Sequence, residues 1–229
     1  MDLIEELPVW RTSIYKVAKP DFHTIKSDVI DMIYGMDKDI AEKDREAPPP
    51  NCGIGPFHQR HKKRLSESYG DLFTRYYHLP LMKELSDWFL EQTIRVAAGV
   101  NKGYANTDNW VAQYTSTWYH ITQDGGYHDY HHHGDSAWCG IFYVSKAKSN
   151  WFKANGVNRF YNPAPQVDGI KGLEFYQTSY DIQPEDGSLF IFPGFIPHSA
   201  LPYYGDDDRI ILSFNTKIVE DADPESPKT

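Results

Sequence analysis

The sequence has few cysteines, no long apolar run and no excess of positive charge, and each shortage argues against a class of protein. Two cysteines among 229 residues are too few for the disulfide framework of a small secreted domain, and they suit a reducing cytosol. No stretch approaches the ~20 apolar residues of a transmembrane helix, and residues 1–10 lack the apolar core of a signal peptide. The net charge of −9 disfavours nucleic acid or an anionic membrane as a partner. We therefore predict a cytoplasmic protein that binds neither.

The sequence is rich in turn-forming and aromatic residues. It contains 15 prolines, 16 glycines and 15% aromatic residues, which favour short strands over a helical bundle. Helical patterns come first and about eight strand-like segments follow. This order indicates a mainly β fold, a double-stranded β-helix (a cupin-like jelly roll) buttressed by N-terminal helices. The length fits one domain, with a helical buttress and loop over 1–105, a jelly-roll core over 106–219 and a tail over 220–229.

The periodicity of the apolar residues gives the predicted elements. Helical spacing over residues 21–34 and 79–99 predicts two helices, and loose alternation over 8–17 predicts an edge strand. Two long loops, 48–56 and 146–171, are rich in turn residues, and their role is left open. Further strands are predicted over 110–122, 139–144, 158–161, 173–182, 188–192 and 209–215.

The segment Tyr127–Asp135 concentrates candidate metal ligands, with four histidines and two aspartates in nine residues. Histidine is the commonest metal ligand, and carboxylates join it at iron sites. In an extended strand alternate side chains share one face, so His131, His133 and Asp135 would point the same way. Two neighbours in this row can take two positions on a metal, and the distant His198 can supply the third.

The same alternation puts His128 and His132 off this row, so we expect them to be exposed or to lie beside the ligands without binding the metal. Arg209 comes eleven residues after His198 and opens an apolar strand. Three ligands on one face of an octahedral metal leave three positions open, which is the arrangement of non-haem Fe(II) oxygenases. A keto acid such as 2-oxoglutarate would take two of these positions and oxygen the third. Arginine neutralises a carboxylate through a bidentate pair of hydrogen bonds, and Arg209 is placed to do so.

A series of motifs runs through the second half of the chain: Trp118–Ile121, Gly125, Tyr127, His131-x-His133, Gly140–Val144, Gly187–Pro193, His198–Ser199 and Arg209–Asn215. In this order the motifs resemble those of the Fe(II)/2-oxoglutarate-dependent dioxygenases, in particular the prolyl-hydroxylase-like branch with bacterial and phage members. The segment Pro8–Tyr15 and the helix around Leu81 resemble that branch more weakly. The resemblance therefore spans nearly the whole chain.

The resemblance implies roles for five residues outside the histidine-rich segment. His198 would be the distal iron ligand, and Arg209 the partner of the distal carboxylate of 2-oxoglutarate. Tyr143 would place its hydroxyl on that same carboxylate. Ser213, on the face of Arg209, would add a hydrogen bond, although the family has its serine two residues after the arginine. His120 takes a position where this branch often has asparagine, lining the pocket.

The two remaining ligands are open between two sets. The broad superfamily uses His-x-Asp, which His133-Gly-Asp135 matches. The closer branch has His-x-His at the positions of His131 and His133. The first pattern gives a site of His133, Asp135 and His198, and the second replaces Asp135 by His131. We favour the second set and keep Asp135 as the competitor of His131.

These features together predict an Fe(II)- and 2-oxoglutarate-dependent dioxygenase that hydroxylates an unactivated C–H bond, with O2 as cosubstrate and ascorbate as reductant. Its substrate would be an amino acid, a peptide side chain or a small natural product, contacted by Trp138, Tyr127 and Asn215. Two alternatives are a cupin-type metal enzyme that does not use 2-oxoglutarate and a catalytically silent metal-binding module. Arg209 and Tyr143 argue against the first, and the complete set of site residues argues against the second. The oligomeric state stays open.

Overall fold

The computed structural model describes residues 12–46, 65–68, 70–164, 171–172 and 177–221. The predicted loop 48–56 and the tail beyond residue 221 lie outside these ranges. The described residues form, in chain order, β1 (Tyr15–Ala18), α1 (Phe22–Glu46), β2 (Leu65–Glu67), α2 (Leu72–Tyr76), α3 (Pro80–Asn101), β3 (Trp110–Thr122), β4 (His128–His131), β5 (Trp138–Ser145), a 3-10 turn (Trp151–Lys153), β6 (Asn158–Tyr161), β7 (Ser179–Asp181), β8 (Ser188–Pro193), β9 (His198–Ala200) and β10 (Arg209–Glu220).

The strands form two antiparallel sheets. The larger sheet has six strands in the order β1-β8-β5-β10-β3-β2, and the smaller has four in the order β4-β9-β6-β7. Side chains from both sheets line one interior cavity, so the two sheets pack face to face. This is the mainly β jelly roll predicted from the sequence, and the structure confirms it.

The helices cover the outer face of the larger sheet. Phe22 of α1 meets Phe142 of β5 edge-on with ring centroids 5.0 Å apart, and Phe89 of α3 stacks on Phe214 of β10 at 5.3 Å. Alternate residues such as Ile211 point the other way, into the interior core. Because both faces of β5 are buried, this strand is almost continuously apolar. The outer face is thus closed by helices, and the inner face is left for the site.

Both predicted helices are present, and each is longer than predicted. Helix α1 does not end at residue 34 but continues to Glu46, because the charged segment that follows is rich in helix-forming residues and meets no proline before residue 48. Helix α3 begins at Pro80, where the missing N–H of proline costs nothing, and passes Gly99 to end at Asn101. No helix in the described part of the chain is long and apolar enough to cross a membrane.

The strand predictions hold best for the central strands. β3 and β6 have the predicted bounds, while β5 and β8 extend slightly beyond them. β10 continues past residue 215 to Glu220, because its second half pairs with the start of β3 after a register shift between Asn215 and Thr216.

The short and peripheral elements fit the predictions less well. Of the predicted strand 8–17, the structure describes a strand at Tyr15–Ala18, and residues 8–11 lie outside the described ranges. Of the predicted strand 173–182, Ser179–Asp181 is a strand, and 173–176 are not described. The elements β2, α2 and β9 are absent from the predictions because three to five residues are too few to show a period.

Candidate active site

Three histidines meet inside the barrel at β4 and β9. His131 is the last residue of β4 and pairs with His198, the first residue of β9, while His133 follows two residues beyond β4. The ring centroids lie 4.3 Å apart for His131 and His198, 5.0 Å for His131 and His133, and 5.3 Å for His133 and His198. One nitrogen of each ring lies within 4.8 Å of one nitrogen of each other ring. The structure therefore brings together the favoured three-histidine set.

Asp135 does not join this cluster. β4 ends at His131, and Ser136 N donates a 2.9 Å hydrogen bond to His133 O, so a turn replaces the predicted extended row. Asp135 lies in that turn with an exposed side chain, its Oδ1 3.5 Å from Ser136 Oγ. The shared face expected for residues 131, 133 and 135 is wrong at 135, because a turn ends the alternation of a strand. That His131 rather than Asp135 binds the metal stays a prediction.

Backbone carbonyls orient two of the three rings. His131 Nδ1 lies 2.7 Å from Asp129 O, and His198 Nδ1 lies 3.1 Å from Ile196 O. An Nδ1–H that donates to a carbonyl fixes the tautomer of the ring. Nε2 is then the nitrogen that each ring would offer to a metal.

Asn215 holds the third ring. Its Nδ2 lies 3.2 Å from His133 Nδ1 and 3.0 Å from Ser116 Oγ, while its Oδ1 is buried without a hydrogen-bond partner among the described residues. A half-turn of the amide would let Oδ1 accept from His133 Nδ1–H and from the Ser116 hydroxyl. His133 would then also offer Nε2. Asn215 is thus placed to orient the His133 ring, whereas the sequence suggested contact with substrate.

Burial favours the neutral form of His198 and His133. It lowers the pKa of His198 to about 2 and the pKa of His133 to about 4, and the nearby His131 adds to both effects. The neutral imidazole is the form that binds metals, so a metal can bind near neutral pH without displacing protons from these two rings.

Arg209 is a buried cation with neutral partners. Its side chain is fully buried, and its Nη2 donates to Asn158 Oδ1 at 2.6 Å and to the Tyr143 hydroxyl oxygen at 3.1 Å. The Tyr143 hydroxyl itself donates to Asn158 Oδ1 at 2.6 Å. Arg209 Nε has no hydrogen-bond partner, and no carboxylate of the described residues forms an ion pair with the guanidinium. A buried charge of this kind calls for an anionic ligand.

One cavity is lined by the three histidines and by Asn158, which links it to the Arg209 group. Its polar wall includes Trp118 Nε1 and Ser213 Oγ, which are buried without hydrogen-bond partners among the described residues. Buried polar groups are normally satisfied, so these atoms indicate a polar ligand. A metal at the histidines and a dicarboxylate reaching toward Arg209 fit this donor set. The cavity is lined by Trp118, His120, His128, His131, His133, Cys139, Gly140, Ile141, Asn158, Phe192, His198, Ala200, Ile211, Ser213, Phe214 and Asn215.

His120 and His128 lie in the same cavity beside Glu67. Glu67 pairs with His120 across β2 and β3, with Glu67 Oε1 3.3 Å from His120 Nε2. The His128 ring stacks on His120 at 5.2 Å and lies 4.3 Å from the His131 ring. Of the two positions expected for His128, exposed or beside the ligands, the structure shows the second, because a register shift between His128 and His131 breaks the alternation of β4. His132 is exposed, as its parity predicts.

Two predicted contact residues do not line the cavity. The Trp138 ring packs 6.0 Å from Tyr15 in the core beneath the helices, and Tyr127 is half-buried beside β4. Two other residues are present that sequence reasoning missed, Asn158 and Glu67. A single polar residue in a short strand carries no sequence pattern, so no signal could have found them. His128 could have been suspected from its place in the histidine-rich segment.

The sequence itself identifies the family. Residues 116–215 match the family model described as "Putative 2OG-Fe(II) oxygenase". Over these residues the chain is similar to 2OG-Fe(II) oxygenases. The oxygenase match contains all three clustered histidines and Arg209, but not Glu67. It confirms the predicted family, the enzymatic class and the cofactors Fe(II) and 2-oxoglutarate.

Solved structures confirm the fold of the oxygenase. AviO1 from Streptomyces viridochromogenes Tue57 has a TM-score of 0.54 at 11% identity, over 95% of this chain and 93% of that one. A prolyl hydroxylase from Trichoplax adhaerens, in complex with a hypoxia inducible factor peptide, has a TM-score of 0.51 at 12% identity, over 88% and 82%. The viral collagen prolyl hydroxylase of Paramecium Bursaria Chlorella virus-1 has a TM-score of 0.50 at 13% identity, over 94% and 97%. No curated protein sequence matches the chain.

Proposed function

We propose that the oxygenase holds Fe(II) with His131, His133 and His198, binds 2-oxoglutarate with Arg209, and hydroxylates an unactivated C–H bond. The observation that carries this proposal is the fully buried guanidinium of Arg209, which has no carboxylate partner among the described residues. The hydrogen-bonded group around it reaches the cavity that the three histidines line. Asn158 links the cavity to Arg209, because its side chain lines the cavity and accepts a hydrogen bond from the guanidinium.

The three histidines are proposed as ligands because their rings converge and their Nδ1 atoms are engaged elsewhere. Asp135 is exposed in the turn after the second histidine, which argues against the competing set. A site with three neutral ligands leaves the full positive charge of Fe(II) to be balanced by the cosubstrate. This favours a dianionic keto acid over a neutral ligand.

The Arg209 group would receive the distal carboxylate of 2-oxoglutarate. The guanidinium offers N–H donors in a planar fork that matches a carboxylate. The Tyr143 hydroxyl, which donates to Asn158 in this structure, could donate to the same carboxylate instead. Ser213 Oγ, which has no hydrogen-bond partner among the described residues, could donate to it as well.

O2 is the oxidant of C–H hydroxylation, and bound Fe(II) and 2-oxoglutarate would activate it: one oxygen atom enters the substrate and the other enters succinate, with release of CO2. The chain itself contributes binding, orientation and exclusion of water. Asn215 holds the His133 ring, and carbonyls hold the other two rings. The apolar wall of Ile141, Phe192 and Ile211 limits the entry of water beside them, which protects a reactive site from side reactions.

The substrate is proposed to be an amino acid, a peptide side chain or a small natural product, and neither nucleic acid nor a membrane. The acidic composition supports this choice. We further propose one domain over residues 1–229 in a reducing cytosol. The core shared by the helices and the larger sheet supports the single domain, and the free, buried Cys139 is consistent with the cytosol.

Succinate formation tests the function. Metal-free protein given Fe(II), ascorbate and O2 should convert 2-oxoglutarate into succinate slowly without substrate and faster with a substrate from a panel of amino acids, peptides and natural products. His198→Ala should abolish both rates, whereas His132→Ala, at an exposed histidine of the same segment, should leave them unchanged. No succinate with any compound, together with no measurable binding of 2-oxoglutarate, would refute the proposal.

A further inference from the structure

A second set of metal-ligating side chains lies beside the three histidines. One ligand atom each from Glu67, His120 and His128 lies within 4.8 Å of the others. This set shares no residue with the first one, although the His128 and His131 rings are only 4.3 Å apart. The two sets are therefore separate but adjacent.

Three strands build this second set. The antiparallel register of β2 and β3 places Glu67 opposite His120. The register shift in β4 turns His128 inward, where its ring stacks on His120 with an angle of 20° between the ring planes. Long-range strand pairing thus brings two imidazoles and one carboxylate to one wall of the cavity.

The environment of His120 points to a ligand beyond its neighbours. Its side chain is 6% exposed, and its buried Nε2 lies 3.3 Å from Glu67 Oε1 without forming a hydrogen bond. A satisfied histidine–carboxylate pair would use that nitrogen as a donor. A cation between the two groups would instead give the buried imidazole nitrogen a partner.

We propose that Glu67, His120 and His128 form a second divalent-cation site next to the three-histidine site. Two imidazoles and a carboxylate suit Fe(II), Co(II), Zn(II) or Mn(II) rather than Ca²⁺ or Mg²⁺, which prefer oxygen ligands. The carboxylate of Glu67 would offset part of the repulsion between two neighbouring cations. The family match includes His120 and His128 but not Glu67, so the carboxylate of this site comes from outside the matched residues.

The number of bound ions tests the second site directly, without 2-oxoglutarate or turnover. Metal-free protein is loaded with Co(II) under anaerobic conditions, freed of excess by gel filtration, and analysed for metal per chain. We expect two ions in the unmodified protein and in His132→Ala. Glu67→Gln, which keeps the size of the side chain, and His128→Gln should each retain one ion, with at least a hundredfold loss of affinity for the other. His198→Gln should lose the other ion instead.

Two results would overturn the second site. One is a single ion in the unmodified protein; the other is a second ion that persists in the Glu67→Gln/His128→Gln double variant. Near-ultraviolet circular dichroism of each variant checks that the fold is intact. If Glu67→Gln loses an ion while His198→Gln loses none, the second site stands and the three-histidine assignment fails, so the two proposals are tested separately.

Discussion

The choice between His131 and Asp135 as metal ligand concerns single side chains, and metal binding separates them. His131 points into the cluster, whereas Asp135 is exposed in a turn. We expect His131→Ala to lose Fe(II) and Asp135→Ala to change the affinity by less than about tenfold, since outer groups contribute at most about 10–100-fold. Anaerobic Fe(II) titration measures both, with His132→Ala as the control. If Asp135→Ala abolishes binding and His131→Ala does not, the conventional two-histidine, one-carboxylate site is correct.

Arg209 should determine the affinity for 2-oxoglutarate. Replacing one partner of a buried charge pair typically costs about 2–5 kcal/mol. Arg209→Ala should therefore weaken 2-oxoglutarate binding by that amount while Fe(II) binding stays close to normal. Calorimetric titration of the anaerobic Fe(II)-loaded protein measures this, and Arg159→Ala, which removes a partly exposed ion pair with Asp181, is the control. An unchanged affinity would remove Arg209 from the cosubstrate site.

Asn158 allows an opposite test of the same pocket. Its Oδ1 already lies 2.6 Å from Arg209 Nη2, so Asn158→Asp should place a carboxylate where the cosubstrate is expected to bind. An internal ion pair would then compete with 2-oxoglutarate. We expect a larger loss of 2-oxoglutarate affinity for Asn158→Asp than for Asn158→Ala in the same titration. Equal losses would show that the side chain acts through shape rather than charge.

At the scale of elements, the position of His133 depends on a contact between two loops, the turn after β4 and the loop between β8 and β9. The link between β8 and β9 passes the turn after β4, where His133 N donates to Gly194 O at 2.8 Å. A Cβ on Gly194 would overlap the carbonyl oxygens of His133 and Ser136. A glycine is therefore required by close backbone approach, not by its own torsion angles.

Gly194→Ala should therefore disturb the metal site without changing any ligand. We expect it to move the turn, weaken metal binding by about 10–100-fold and lower the free energy of unfolding by about 1–3 kcal/mol. Metal titration and urea denaturation measure the two effects. Gly99→Ala is the matched control, because a Cβ there meets nothing within 4 Å and alanine favours the helix. Normal metal binding by Gly194→Ala would mean that this contact does not position His133.

At the scale of the whole molecule, the buried histidines should make the metal-free protein sensitive to acid. Burial lowers the pKa of His198 to about 2 and of His133 to about 4, below the ordinary value of 6.5. As the pH falls below 6.5, these histidines bind protons in the unfolded chain but not in the folded protein, so the free energy of unfolding decreases. We expect a loss of about 1.4 kcal/mol per buried histidine between about pH 7.5 and 5.5.

Urea denaturation of the metal-free protein across this pH range measures the loss. His198→Gln removes one of the titrating groups and should give a flatter dependence on pH. A stability that is constant or that rises toward pH 5.5 would contradict the neutral state of the buried histidines.

The sequence by itself determined the parts of this protein that depend on local pattern and on residue chemistry. The long apolar periods of β3, β5 and β8 predicted strands close to their observed bounds, because periodicity over many residues is a strong signal. His131, His133 and His198 with Arg209 predicted the metal and keto-acid chemistry, because few other arrangements of these residue types serve it.

Only the tertiary structure decided which side chains actually meet. The turn after His133 removed Asp135 from the cluster, and a register shift turned His128 inward. Strand pairing brought Glu67 to His120 and placed Asn158 against Arg209. These contacts join residues far apart in sequence, and their geometry follows from pairing between strands, which the period of a single segment does not encode.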